Sequence, residues 1–267
     1  MKKMNKFLKI FLGVALSALL LISASLFIFS ERVTTGGVCS TVLFMSGNSC
    51  AEISGTESLS RNTAATRTVK NVGRKMVSAL ESYIESHDMD DAMSDLEWEF
   101  VLLDSKEVNA YCFPDGKIVF LEGILKYADT PDKVAVVMGH EMAHALAKHG
   151  RNRQTVETLV NLIGVVASEV VGAKKGETAQ ALFNLGFGVG SQLGVMLPYS
   201  RKQEYEADKI GVYIMQIAGY DINAAPAFWE RMMKGNEGSQ IDFLSTHPSD
   251  EKRIEALKKV IDNMPAL

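Results

Sequence analysis

His140-Glu141-Met142-Ala143-His144 constrains this chain more than any other stretch, because two imidazoles four residues apart act together only on a helix. At about 100° per residue, side chains four apart differ by about 40° and share a face, so both rings can reach one ion. Glu141 projects about 100° from His140, beside the pair and within reach of a proton on a water activated by that ion. The segment therefore predicts a helix carrying the working end of a zinc hydrolase. Thr130-Pro131-Asp132 supplies its start, with a capping hydroxyl, a proline at the first helical position and an acid in the first turn. Lys148, His149 and Gly150 are the expected stop signals. On an ideal helix His149 lies about 140° around from His144, which makes it a helix-end residue and not a ligand.

The chain has 267 residues, a net charge of −4 and 47% hydrophobic residues, as fits one globular domain with an appended membrane or targeting segment. That balance, without an internal Lys/Arg block, excludes nucleic acid as an expected partner. Three cysteines, Cys39, Cys50 and Cys112, are too few for a disulfide-built fold and lack zinc-knuckle spacing, so a metal must rest on histidine and carboxylate. Lys2, Lys3, Lys6 and Lys9 precede an uncharged run of twenty-one residues from Ile10 to Ser30. As a helix it extends about 30 Å, enough to cross a bilayer and longer than the apolar core of most cleaved signals. The basic N-terminal side predicts export of everything after Ser30, to the periplasmic face of a bacterial membrane, anchored or released. In that compartment Cys39 and Cys50 can pair. The expected organisation is a membrane segment over 1–30, a Ser/Thr/Gly-rich linker over 31–61 and a catalytic domain over 62–267.

Val69, Val72, Met76, Leu80 and Ile84 recur at three and four and predict a long amphipathic helix ending near His87. His87 beside Asp88, Asp90 and Asp91 reads as a solvated helix end. Strand patterns at 98–103, 109–113 and 117–121, with the turn Pro114-Asp115-Gly116, predict a small antiparallel sheet. The expected class is mainly α with that sheet (α+β). A substrate segment is expected to pair with an edge at Lys117–Leu121, through Val119 and Phe120. Two apolar stretches, about 156–171 and 179–197, joined by Gly172–Glu177, read as a core or lid hairpin.

Catalytic zinc sites of this type offer three protein ligands and leave a position for water, so a third is needed. The densest later carboxylate cluster is Glu204, Glu206 and Asp208. Glu204 and Asp208 share a helix face, while Glu206 lies about 200° from Glu204. One of the facing pair can bind the metal while the other accepts the far N–H of a ligand histidine, a role suited to Asp208.

His140–His144 with Glu204-Tyr-Glu-Ala-Asp208 resembles the HExxH plus ExxxD signature of the zinc metallopeptidases related to HtpX and the CAAX prenyl proteases. Within that family the chain resembles the periplasmic BepA and LoiP type and the mitochondrial Oma type. The likeness extends to Asn109-Ala110-Tyr111, Tyr199-Ser200-Arg201, and Thr246-His247-Pro248-Ser249 followed by Arg253. It implies a single gluzincin-type domain and one Zn²⁺ held by His140, His144 and Glu204. It also implies a site role for His247, which the residues alone mark as a turn, and for Arg253 in the same late motif. The function expected is an endopeptidase acting on protein or peptide substrates such as unfolded envelope proteins. The alternative is a zinc-stabilised, chaperone-like binding module with little proteolysis.

Overall fold

Asn62 opens the first long helix by accepting a hydrogen bond from the Ala65 N–H at 3.1 Å, and the helix, α1, runs Thr63–Ser86. Its Val69, Val72, Met76 and Leu80 are buried, as their spacing predicts. The computed structural model of the chain describes residues 42–43, 52–53, 58–87, 93, 95–236 and 241–265. The 10–30 run, Cys39, Cys50, Asp88, Asp90 and Asp91 lie outside the described residues. His87 ends α1, its Nδ1 2.9 Å from the Tyr83 carbonyl and its ring stacked on Tyr83.

A short antiparallel pair joins β1 (Val42–Leu43) to β2 (Glu52–Ile53). The main sheet contains β3 (Glu99–Leu103), β4 (Ala110–Cys112) and β5 (Lys117–Leu121), in the order β3-β5-β4. It is mixed where the sequence predicted antiparallel pairing throughout: β5 runs antiparallel to β4 and parallel to β3. The reason is the apolar run Ile118-Val119-Phe120-Leu121, buried on both faces, which belongs in a middle strand. Ile118 and Phe120 join the main core, while Val119 and Leu121 pack with Phe113 on the other face. With hydrogen bonds on both sides, β5 has no edge to offer, and the expectation that Val119 and Phe120 meet substrate is corrected. β3 and β4 are the outer strands, and residues 58–60 bond along the free side of β3 through Ser60 N–H to the Leu102 carbonyl and Asp104 N–H to the Ser58 carbonyl.

After a 3₁₀ turn at Glu122–Lys126, helix α2 spans Pro131–Leu146 and starts as read, with the Thr130 hydroxyl accepting from the Lys133 N–H. Its stop is different. Lys148 takes a left-handed conformation (φ 52°) and α3, His149–Lys175, begins at once, so Gly150 lies inside a helix and terminates nothing. α3 turns at Gly176 into α4, Glu177–Ser191, which continues through a π-helical stretch, Gln192–Met196, into α5, Leu197–Ile217. Then follow α6 (Ala224–Asn236), α7 (Asp242–Thr246) and α8 (Glu251–Asp262). The α3–α4 hairpin is not core: α4 has no buried residue, and α3 buries only His149, Gly164 and Ser168.

α2 is the axis of the globular body, buried continuously from Val134 to Ala143. It crosses α5 where Gly139 faces Gly211; a Cβ on Gly139 would stand 2.9 Å from the Gly211 carbonyl oxygen. That close approach lets side chains from both helices converge one turn further on.

Candidate metal centre

His140 and His144 project from α2 toward α5, as the four-residue spacing predicts, with their Nε2 atoms 3.1 Å apart. Glu204 enters from α5, 3.2 Å from His140 Nε2 and 3.4 Å from His144 Nε2. His247, where α7 ends, brings its Nδ1 to 3.1 Å from His140 Nε2 and 3.2 Å from Glu204. Four donors from three parts of the chain thus surround one point. In a tetrahedral zinc site with bonds of about 2.0–2.1 Å, ligand atoms stand about 3.3–3.4 Å apart, so the spacing fits such an ion.

The protonation pattern points the same way. Asp208 Oδ1 lies 3.0 Å from His140 Nδ1, and a carboxylate only accepts, so that nitrogen carries the proton and Nε2 turns its lone pair to the shared point. Without a cation the His140 Nε2 takes up a proton and faces the Glu204 carboxylate at 3.2 Å, and a bound metal ion displaces that proton. Burial alone would lower the His140 pKa, but its hydrogen bonds to Asp208 and Glu204 outweigh burial and lift it to about 9. Burial holds His144 well below its ordinary value, keeping it a neutral lone-pair donor.

Glu141 is 2% exposed, and one of its carboxylate oxygens has no hydrogen bond. That oxygen lies 3.4 Å from His247 Nε2. Burial raises its pKa, against the opposing pull of His247 and His140, as suits a group that takes up a proton. It faces a cleft of about 230 Å³ whose walls include Tyr111 and Cys112 of β4, His149 and Arg153 of α3, and Ser200 of α5.

A protein-family comparison matches residues 67–261 to peptidase family M48. The chain belongs to peptidase family M48. It is 37% identical to the mitochondrial metalloendopeptidase OMA1 of Schizosaccharomyces pombe, over 62% of this chain and 48% of that one. Against human OMA1 the identity is 31%, over 63% and 33%. Against the beta-barrel assembly-enhancing protease of Escherichia coli it is 28%, over 59% and 33%. The chain thus matches between a third and about half of the length of these relatives.

In this M48 chain the groups behind the four donors are as specific as the donors. Arg253 is 2% exposed and forks onto Asp208, with Nε 2.6 Å from Oδ2 and an Nη 2.8 Å from Oδ1. Its other Nη donates to the His247 and Pro248 carbonyls at 3.3 and 3.0 Å and lies 3.1 Å from Glu204. The guanidinium covers the Trp229 ring at 4.1 Å. Arg253 therefore locks α8, α5, α6 and the His247 turn together, and Asp208, whose pKa burial would raise, is drawn below its usual range by Arg253. Arg201, by contrast, is exposed on α5.

The M48 site also contains a residue the sequence reading set aside. His149 Nδ1 is 2.9 Å from His144 Nδ1, and its Nε2 is 3.5 Å from Glu206. His149 is 4% exposed, and its carbonyl accepts from Gln203 Nε2 at 3.0 Å. The angular extrapolation from His144 failed because left-handed Lys148 breaks the helix and re-aims the next residue. The signal was the histidine itself, one of five in the chain.

Proposed function

We propose that this chain is a zinc-dependent endopeptidase of the periplasmic face of a bacterial membrane, cleaving loosely folded exported proteins. The observation that carries it is the convergence of His140, His144, Glu204 and His247 beside a buried carboxylate of raised pKa. Residues 62–267 form the peptidase domain, behind a membrane segment at 1–30 and a linker at 31–61. Family membership supports protein as the substrate class, and the names of the relatives, a metalloendopeptidase and a beta-barrel assembly-enhancing protease, support endoproteolysis; we place that activity in envelope protein quality control.

His140, His144 and Glu204 hold the ion, one per chain, which when bound supplies Lewis acidity toward water and the scissile carbonyl. Glu141 takes the proton of the attacking water and passes it to the leaving amine; its raised pKa suits both transfers. Asp208 fixes the His140 tautomer, and Arg253 holds Asp208 in place. The outer strand β4 lines the cleft, where an extended substrate segment can add to the sheet. His247 fills the fourth donor position, so it must withdraw for water to enter, and it then stands beside the reacting carbonyl as an oxyanion donor.

The test is casein cleavage by the full chain with bound zinc measured in parallel. Glu141→Gln is expected to keep zinc and lose roughly 100- to 10,000-fold in rate. Equal cleavage by wild type and variant would sink the peptidase mechanism, and zinc without cleavage in both would favour the binding-module alternative. His247→Ala is expected to keep zinc; a rise in turnover would show that freeing the fourth donor position outweighs the lost oxyanion contact, and a fall would show the reverse.

A further inference from the structure

The α3–α4 hairpin exposes more large apolar side chains than any other part of the described molecule. Leu159, Ile163, Leu182, Leu185, Val189 and Leu193 are each between 53 and 69% exposed. Leu182, Leu185 and Val189 of α4, with Leu193 just beyond it, lie within about 80° of one another on the side away from α3, while Phe187 fills the space beside Gly164 on the contact side. From residue 178 onward that outer side carries apolar, small and neutral polar residues and no charge, which fits a hydrocarbon surround.

Length and charge agree with that surround. Residues 178–200 contain no charged side chain, a run of about 34 Å as helix, and both helices are long and apolar enough to cross a membrane. Lys174 and Lys175 lie at the tip, and Arg151, Arg153, Arg201 and Lys202 at the base, where lipid phosphates would meet them. Within the shaft, Glu169 accepts from Gln180 Nε2 at 3.4 Å, and the same amide donates to Ser168 at 3.1 Å. The helices pack through Gly164, Ser168 and Gly172 of α3, with Phe187 and Gln180 of α4 against the two glycines, the small-residue spacing that lets membrane helices approach closely. Both feet return to the globular body, so immersion of the shaft leaves His140, His144 and Glu204 on one side.

We propose that the α3–α4 hairpin is embedded in a lipid bilayer with its basic base at the headgroups. His149, Arg153, Leu197 and Ser200 at that base also line the metal-centre cleft, so the cleft opens beside the membrane surface. Resting on the endopeptidase reading, the favoured substrates are segments emerging from that membrane.

The test uses the full chain in phosphatidylcholine/phosphatidylglycerol vesicles containing acyl-brominated phosphatidylcholine, with one tryptophan added at a time. Vesicle binding alone is not the readout, because the 10–30 run would bind in any case. The emission added by Leu162→Trp and by Leu185→Trp is expected to be lost to the brominated lipid. That added by Leu59→Trp, on the globular body, is expected to persist. Quenching of all three to the same extent, or of none, overturns the proposal. Blue-shifted emission without quenching, in a chain that sediments as a dimer, overturns it in favour of a second copy covering the hairpin. The readout needs no proteolysis, so it stands apart from any failure of the peptidase reading.

Discussion

His144 depends on a neighbour outside its own helix. With its Nε2 turned to the shared point, its Nδ1 proton goes to His149 Nδ1 at 2.9 Å, and His149 in turn faces Glu206. Such partners set the tautomer and basicity of a ligand, and losing one commonly costs about 10- to 100-fold in metal affinity. His149→Phe is therefore expected to fold normally and to yield its zinc to a chelator at correspondingly lower concentration; wild-type affinity would show that His149 only packs. The residues legible in the sequence were those whose spacing carries the chemistry: His140, Glu141 and His144 along one helix, and Glu204 with Asp208 along another. His149 was not, because its direction depends on the left-handed Lys148 before it.

At the scale of elements, the site exists because α2 and α5 nearly touch. Gly139 and Gly211 face each other at backbone contact, one residue before His140 and three after Asp208. A valine at Gly139 has carbonyl oxygen, not a yielding side chain, in its way, so the helices must part. Gly139→Val is expected to cost about 1 to 3 kcal/mol in chemical denaturation and to weaken zinc binding by separating Glu204 from the histidines. A variant that loses stability but keeps full zinc affinity would place the convergence under other control. The three strands were legible to within a residue or two, but their order was not. Chain order favoured pairing neighbours, while burial of Ile118–Leu121 on both faces drew β5 into the middle and left β4 at the cleft.

For the whole molecule, acid stability offers a test away from the site. Asp129 bonds Lys133 of α2 at 2.7 Å and Arg231 of α6 at 2.5 Å, and these two hydrogen bonds lower its pKa from 3.8 to about 2. A carboxylate depressed in the folded state adds stability above its unfolded pKa, and that stability fades as pH falls through the folded value. At 45% side-chain exposure the solvent-screened contribution is about 1 kcal/mol or less. Asp129→Asn should lower the urea midpoint near neutral pH, by a difference that shrinks between about pH 4 and about pH 2. A constant difference would assign the effect to packing. By itself the sequence determined the helix that carries the metal motif, the carboxylates able to complete it and the mostly helical class, because spacing, capping and periodicity act within a few residues. Only the tertiary structure decided that Arg253 buttresses Asp208, that His149 backs His144, that β4 borders the cleft and that the hairpin stands outside the core. Each depends on which surfaces meet across long stretches of chain, and no local pattern encodes that meeting.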